Sequence, residues 1–170
     1  MTTTVFLRQS EFTPFHISIY EAAFPPEERR PSGNPVPDDE AFRFYNIATR
    51  DVAQAGLLTL WSFGTFRYIE HLAVDSNLRG NGIGAAALAE VENPVVLEVE
   101  PPETSAMAAR RVEFYKRQGF RLLEVPYVQP PYSPGLPPVR LCLMLRGRLL
   151  VPVSEVIRTL HSRVYGAENF

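Results

Sequence analysis

Three glycines within five residues, Gly80-Asn81-Gly82-Ile83-Gly84, follow the strand-like run Phe66 to Val74 and precede the alanine-rich run Ala85 to Ala89. That placement restricts the fold more than any other segment. Glycine reaches backbone conformations closed to other residues and lets a ligand come close to the main chain. At a strand-to-helix turn the free N–H groups and the helix dipole converge on one point, which favours an anion such as a pyrophosphate. The plainer reading, a turn that only joins strand to helix, stays open on these residues alone.

The flanking pattern says what kind of sheet holds the loop. Phe42 to Thr49, Gly56 to Phe63 and Phe66 to Val74 are rich in aromatic and aliphatic residues and are separated by Arg50-Asp51 and Gly64, which predicts three consecutive strands in an antiparallel meander. Gly80 to Glu90 predicts a helix and Pro94 to Glu100 a compact strand, so the loop lies inside a βαβ unit. Upstream, Thr13-Pro14 starts a helix that ends near Phe24, and five prolines between Pro25 and Pro37 make Pro25 to Asp39 a surface loop with one short turn at its start. Downstream, Thr104 to Gln118 reads as a helix stopped by Gly119. Phe120 to Tyr127 and Val139 to Leu145 read as strands around a proline-rich loop. Val156, Ile157, Leu160 and Val164 form one apolar stripe after Ser154 as N-cap, so residues 152–165 are expected to be an amphipathic C-terminal helix. The expected class is α/β (α+β), a mixed and mostly antiparallel central sheet with flanking helices, in a single domain spanning residues 1–170.

Bulk properties exclude several partners. A formal net charge of -2 argues against nucleic acid, and a single cysteine, Cys142, rules out an intrachain disulfide or a multi-cysteine zinc site. No metal is expected. The first residues lack a signal-peptide pattern and no apolar run is long enough to span a bilayer, so the expectation is a cytoplasmic chain with no membrane partner. A homodimer is compatible with this composition.

A Walker A loop needs Lys and then Ser or Thr after the last glycine, where this chain has Ala85-Ala86. A dinucleotide fingerprint fits better, since Gly80-x-Gly82-x-x-Ala85 is followed about 20 residues later by Glu98 or Glu100, but that fingerprint normally opens a doubly wound domain. Here three strands precede the loop. A third pattern uses more residues. Leu72-Ala73-Val74-Asp75 with Arg79-x-x-Gly82-x-Gly84 resembles the acetyl-CoA motif of the GNAT superfamily, and Phe114-Tyr115-Lys116-Arg117-Gln118-Gly119-Phe120 resembles its second motif. The order of elements over residues 1 to 146 is similar to that superfamily. Phe24-Pro25, Glu28-Arg29-Arg30, Ile69-Glu70-His71, Leu97 to Pro102 and Tyr127 to Tyr132 look like a bacterial branch whose acceptor is generally unassigned.

The resemblance implies an N-acetyltransferase that moves an acetyl group from acetyl-CoA to a primary amine of a small molecule or peptide by direct attack. Leu72, Ala73 and Val74 would hold pantetheine, with the Leu72 N–H facing the thioester oxygen, and Arg79, Gly80, Asn81, Gly82, Ile83 and Gly84 would hold the pyrophosphate. Tyr115 is the implied general acid, suited because a phenol keeps its proton at neutral pH. Glu98, a carboxylate in an otherwise apolar strand, is the first candidate base and Glu70 the second. His71, next to Glu70 on a strand, should point to the opposite face and be packed or capped. Glu27 to Arg30 and Tyr127 to Tyr132 are expected to frame the acceptor. Two departures stand out: a short helix after Gly84, and Ala108 where many relatives carry an Asn that reaches the cofactor, a contact that Arg110 or Arg111 could replace. An acetyl-CoA-binding module without transfer and a dinucleotide oxidoreductase are the alternatives.

Overall fold

The computed structural model describes residues 3–31 and 36–170. Part of the expected loop from Pro25 to Asp39, residues 32–35, lies outside the described residues. The chain runs β1 (Val5–Gln9), α1 (Pro14–Ala23), β2 (Phe42–Thr49), β3 (Gly56–Ser62), β4 (Arg67–Val74), α2 (Ile83–Ala89), β5 (Val95–Val99), α3 (Ala106–Arg117), β6 (Arg121–Leu122), β7 (Tyr127–Gln129), β8 (Val139–Arg146) and α4 (Val153–Thr159). The strands form one sheet in the order β1-β2-β3-β4-β5-β8-β6, with β7 also on β8, and β4 with β5 is its parallel pair. A doubly wound sheet would be mostly parallel, whereas β4 with β5 is the one parallel pairing among the described strands. This topology therefore overturns the dinucleotide alternative.

Alternation of apolar side chains gives the sheet two buried faces. Tyr20 of α1 and Val156 and Leu160 of the C-terminal helix pack with Phe42, Leu57, Trp61, Val96 and Leu143 on one face. Ile83 and Leu88 of α2 and Val112 of α3 pack with Leu58, Ile69, Val95 and Met144 on the other. Helices thus cover both sides, and the meander β2-β3-β4 and the βαβ unit stand as expected.

Two local expectations are corrected. The strand expected over Phe120 to Tyr127 is broken into β6 and β7, whose registers against β8 differ by two residues; Pro126, which has no N–H to give to a ladder, sits at the break. The last helix is capped by Pro152 rather than Ser154, with the Glu155 and Val156 N–H groups donating to the Pro152 carbonyl. It also widens from α4 into a π-helical turn over Leu160–Val164, where the Tyr165 N–H donates to the Leu160 carbonyl.

No helix among the described residues is long and apolar enough to cross a membrane.

Candidate active site

One irregular residue of β4 lies at the site. Thr59 pairs with His71 and Leu60 with Ile69, so Glu70 is an extra residue with no partner on β3, a β-bulge. A bulge resets strand parity. Before it, the Arg67 N–H points to the β5 side and donates to the Pro94 carbonyl at 2.9 Å. After it, the His71 N–H donates to the Thr59 hydroxyl at 2.9 Å and the Asp75 N–H to the Ala55 carbonyl at 2.8 Å, both towards β3. Alternation then directs the Leu72 and Val74 N–H groups away from β3 and leaves that of Ala73 on the β3 side.

β5 has already diverged at that point. It pairs with β4 only from Arg67–Val95 to Ile69–Leu97, then stays with β8 as far as Val99. The strands therefore splay and open a cleft of about 820 Å³, into which the amide edge at Leu72 and Val74 faces. Leu72, Ala73, Val74, Arg79, Gly80, Gly82, Ile83 and Gly84 line it, together with Glu70, Glu98 and Tyr115. Among the expected cofactor residues Asn81 is outside this lining; its side-chain amide donates to the Leu78 carbonyl at 2.9 Å and its own carbonyl accepts from Thr3.

The glycine loop keeps its main chain bare. Gly80 and Gly82 have φ of 83° and 74°, a left-handed backbone that disfavours side chains, and the space beside Gly80 where a Cβ would sit is open. Gly82 is the N-cap of α2, so the loop's free N–H groups stand at the helix start. These residues fit a cofactor that carries a pyrophosphate. Ala108 is 2% exposed and turns no polar group to the cleft, whereas Arg110 and Arg111 line it.

Glu98 projects from β5 towards the face covered by α1 and α4, where three phenols converge on it. Its Oε1 accepts from Tyr68 at 2.7 Å, Tyr127 at 2.9 Å and Tyr165 at 2.7 Å, and its Oε2 accepts from Tyr165 at 2.9 Å. Oε1 is saturated; Oε2 keeps unused acceptor capacity. Burial pushes the Glu98 carboxyl up to about 7 against the pull of the three hydroxyl donors, and the nearby charge of Glu70 adds to the rise. Sequence spacing placed Glu98 in the site but missed Tyr68 and Tyr165, whose sequence distances from it are set by the sheet and the C-terminal helix.

Glu70 is engaged differently. Its carboxylate takes two-pronged donation from Arg30 Nε and Nη2, the shortest contact 2.7 Å, and accepts from Trp61 Nε1 at 2.9 Å, with the side chains of Glu70 and Arg30 only 1% and 12% exposed. Burial alone would raise its pKa, but the Arg30 charge and these donors hold it below the usual carboxylate range. The Arg30 guanidinium also lies over the rings of Trp61 and Tyr132. Arg30, in the surface segment expected to frame the acceptor, is the buried partner of Glu70. His71 likewise departs from simple alternation: the bulge puts it on the same face as Glu70, where it packs edge-on against Tyr20 and Phe24 and its Nε2 donates to the Glu28 carbonyl at 2.8 Å. It is the packed and hydrogen-bonded histidine expected, reached by another route.

Tyr115 sits on α3 between Phe114 and Phe120 and lines the cleft. Burial raises its pKa above the ordinary phenol, with Arg111 pulling the other way, so it is protonated at neutral pH. Glu28, at the far wall, is pushed up to about 7 by burial and by the charge of Glu100, offset in part by Arg111.

Comparison with known proteins places this geometry. A family profile described as acetyltransferase (GNAT) domain matches residues 40–122. A structure from Bacteroides thetaiotaomicron, named for the GNAT acetyltransferase family, superposes with a TM-score of 0.79 at 34% identity, covering 90% of this chain and 91% of that one. The chain belongs to the GNAT acetyltransferase family. The Bacillus subtilis strain 168 protein YjbC, which also carries an acetyltransferase name, is 30% identical over 80 residues, a match that spans 45% of this chain and 42% of YjbC. A Bacillus subtilis acetyltransferase solved in complex with CoA shares the GNAT fold at 13% identity, with a TM-score of 0.56. The profile match begins at the meander and stops in β6, so in this GNAT protein two of the three phenols on Glu98, Tyr127 and Tyr165, come from beyond it.

A raised carboxyl in a GNAT cleft has a thermodynamic signature. Glu98 keeps its proton to about pH 7 when folded, against 4.5 as its ordinary value, so the folded chain binds more protons across that window and this group's contribution to stability falls as pH rises through it. His16, His71 and His161 have lowered pKa values through burial and contribute the opposite slope, so the wild-type curve mixes both. The difference curve isolates Glu98. Melting temperatures of Glu98→Gln minus wild type are expected to increase from acid to mildly alkaline pH; a flat difference would show that the carboxyl titrates normally.

Proposed function

We propose that the protein is an acetyl-CoA-dependent N-acetyltransferase acting on a primary amine by direct attack within a ternary complex. The observation that carries this reading is the opposition, across one cleft, of the free amide edge of β4 and a carboxylate poised near neutrality. Acetyl-CoA as cosubstrate would supply the activated acyl carbon and a thiolate leaving group.

The chain's own groups cover the remaining needs. The loop from Arg79 to Gly84 offers bare N–H groups and one cation to a pyrophosphate, and the N–H groups of Leu72 and Val74 offer strand-like pairing to an extended pantetheine arm. The Leu72 N–H, first beyond the bulge, is the donor nearest Glu98 along the strand and is assigned to the developing oxyanion. Glu98 Oε2 takes the ammonium proton of the acceptor, directly or through one water, and a pKa near 7 matches that task at neutral pH. Tyr115 gives its proton to the leaving sulfur. Glu70 positions: its carboxylate is held by Arg30 and Trp61 and kept ionised beside the Arg30 charge, which locks the bulge. Glu28, Glu98 and Glu100 form no ion pair among the described residues and line the cleft, which suits a cationic acceptor.

The test is acetyl-CoA-dependent release of free thiol with a panel of amines (polyamines, amino acids, aminoglycosides and N-terminal peptides), beside calorimetry with acetyl-CoA and NAD. Micromolar acetyl-CoA binding with amine-dependent thiol release supports the reading. Tight binding with no release on any amine would favour the binding module, and tight NAD binding would refute the cofactor assignment.

A further inference from the structure

Tyr165 reaches the carboxylate by an unusual path. It follows the C-terminal helix, whose Val156, Leu160 and Val164 are buried against the sheet. A regular α-helix would place residue 165 about 100° further round the axis than a turn with one more residue does. The π turn over Leu160–Val164 is that extra residue, and such widenings recur at functional sites. It leaves the Tyr165 hydroxyl across both oxygens of Glu98, 3.2 Å from the Tyr68 hydroxyl, with its ring 4.9 Å from that of Tyr132. The segment is pinned on several sides. Arg30 Nη2 donates to the Val164 carbonyl at 3.2 Å, His161 Nε2 contacts the Val128 carbonyl at 3.0 Å, and Arg163 binds Asp39.

We propose that Tyr165 is a positioning residue for Glu98, and that the acid–base centre is complete only when the C-terminal helix is docked on the sheet. The inference rests on the reading of Glu98 as the base. Tyr68 and Tyr127 both donate to Oε1; Tyr165 reaches Oε1 and, alone among the described residues, Oε2 as well. It therefore decides which way the freer oxygen turns. Arg30, which binds both Glu70 and the backbone of Val164, ties the docked helix to the bulge on β4.

The groups that face Glu98 come from every element around it: Tyr68 and Glu70 from β4, with Arg30 behind Glu70, Tyr127 from β7, Tyr132 from the loop that follows, and Tyr165. Removing one hydroxyl donor leaves the others in place and weakens the carboxylate form. The sign is fixed: losing a donor to an anion raises its pKa.

The experiment uses the full chain carrying glutamate labelled with 13C at the carboxyl, with the Glu98 signal identified by its loss in Glu98→Gln. In Tyr165→Phe, which keeps the ring and its packing, the Glu98 titration is expected to move up by about one unit. The rising limb of kcat/KM should follow it, with turnover about fivefold lower at pH 7 and recovering as pH rises, at unchanged acetyl-CoA affinity. A Glu98 titration and a pH limb that both stay at their wild-type positions, whatever happens to melting temperature, overturn the proposal and leave the acetyltransferase reading standing. A shifted titration in a protein that acetylates no amine supports the positioning role and removes the base assignment instead.

Discussion

Replacing Glu98 with Gln is expected to lower kcat by about 10²- to 10⁴-fold, the usual contribution of a general base, while acetyl-CoA affinity stays within a few-fold. Gln keeps the shape and one acceptor for the phenols but cannot take a proton. The pH behaviour should change as well as the rate. With Glu98 as the base, the rise of kcat/KM in the wild type is expected to follow a carboxyl at about 7, and its loss should leave a rise governed by the amine's own pKa. An acceptor with a lower amine pKa should then rescue Glu98→Gln. Tyr115→Phe should depress the rate without erasing the rise and should gain little from such an acceptor. Glu70→Gln separates positioning from proton transfer: it breaks the paired contact with Arg30, so melting temperature should drop, while the pH limb should persist and move somewhat to lower pH because the Glu70 charge adds to the rise of Glu98. Full turnover in Glu98→Gln with its loss in Glu70→Gln would move the base to β4. Normal turnover in all three would leave proximity as the source of rate.

Gly82→Asp is expected to weaken acetyl-CoA binding by on the order of 100-fold, since a carboxylate beside the phosphates opposes them in a partly desolvated site. Its effect on folding should be smaller. Gly82 has a φ of 74°, which Asp tolerates better than most residues, and the new Cβ would meet the Thr3 hydroxyl at 3.3 Å, a side chain able to move aside. Calorimetry on the folded variant decides it. Unchanged affinity would remove the loop from the cofactor site.

The local signals in the sequence were the reliable ones. Thr13-Pro14, the glycine loop and Gly119 behind α3 are chemical statements about single turns, and α1, α2 and α3 lie where they point. The meander was legible because turn residues separate its strands. The partners of the acid–base groups were not. Arg30 meets Glu70 across 40 residues and Tyr165 meets Glu98 across 67, and no periodicity within a strand or helix encodes such pairings. Arg29-Arg30 beside prolines looked like solvated loop, yet Arg30 is drawn inward because a carboxylate left alone in the core would be costly. The bulge carried no signal either, because Ile69-Glu70-His71 alternates like any half-buried strand until the ladder shows that Glu70 has no partner. Pro126 and Pro152 could have been read more strictly, as the interruption of β6 from β7 and the cap of the last helix.

The bulge at Glu70 also says where this chain can change over evolutionary time. Substitutions along β4 alter one contact each, but the loss of a single residue between Ile69 and His71 would restore even pairing with β3. The amides beyond it would keep their sides, because Ile69 already pairs with Leu60 and His71 with Thr59, but the carboxylate that Arg30 and Trp61 hold would be gone. In homologous chains an alignment gap there would mark a protein that has kept the fold and the open amide edge and lost the buried anchor for Arg30 and, through it, for the C-terminal helix.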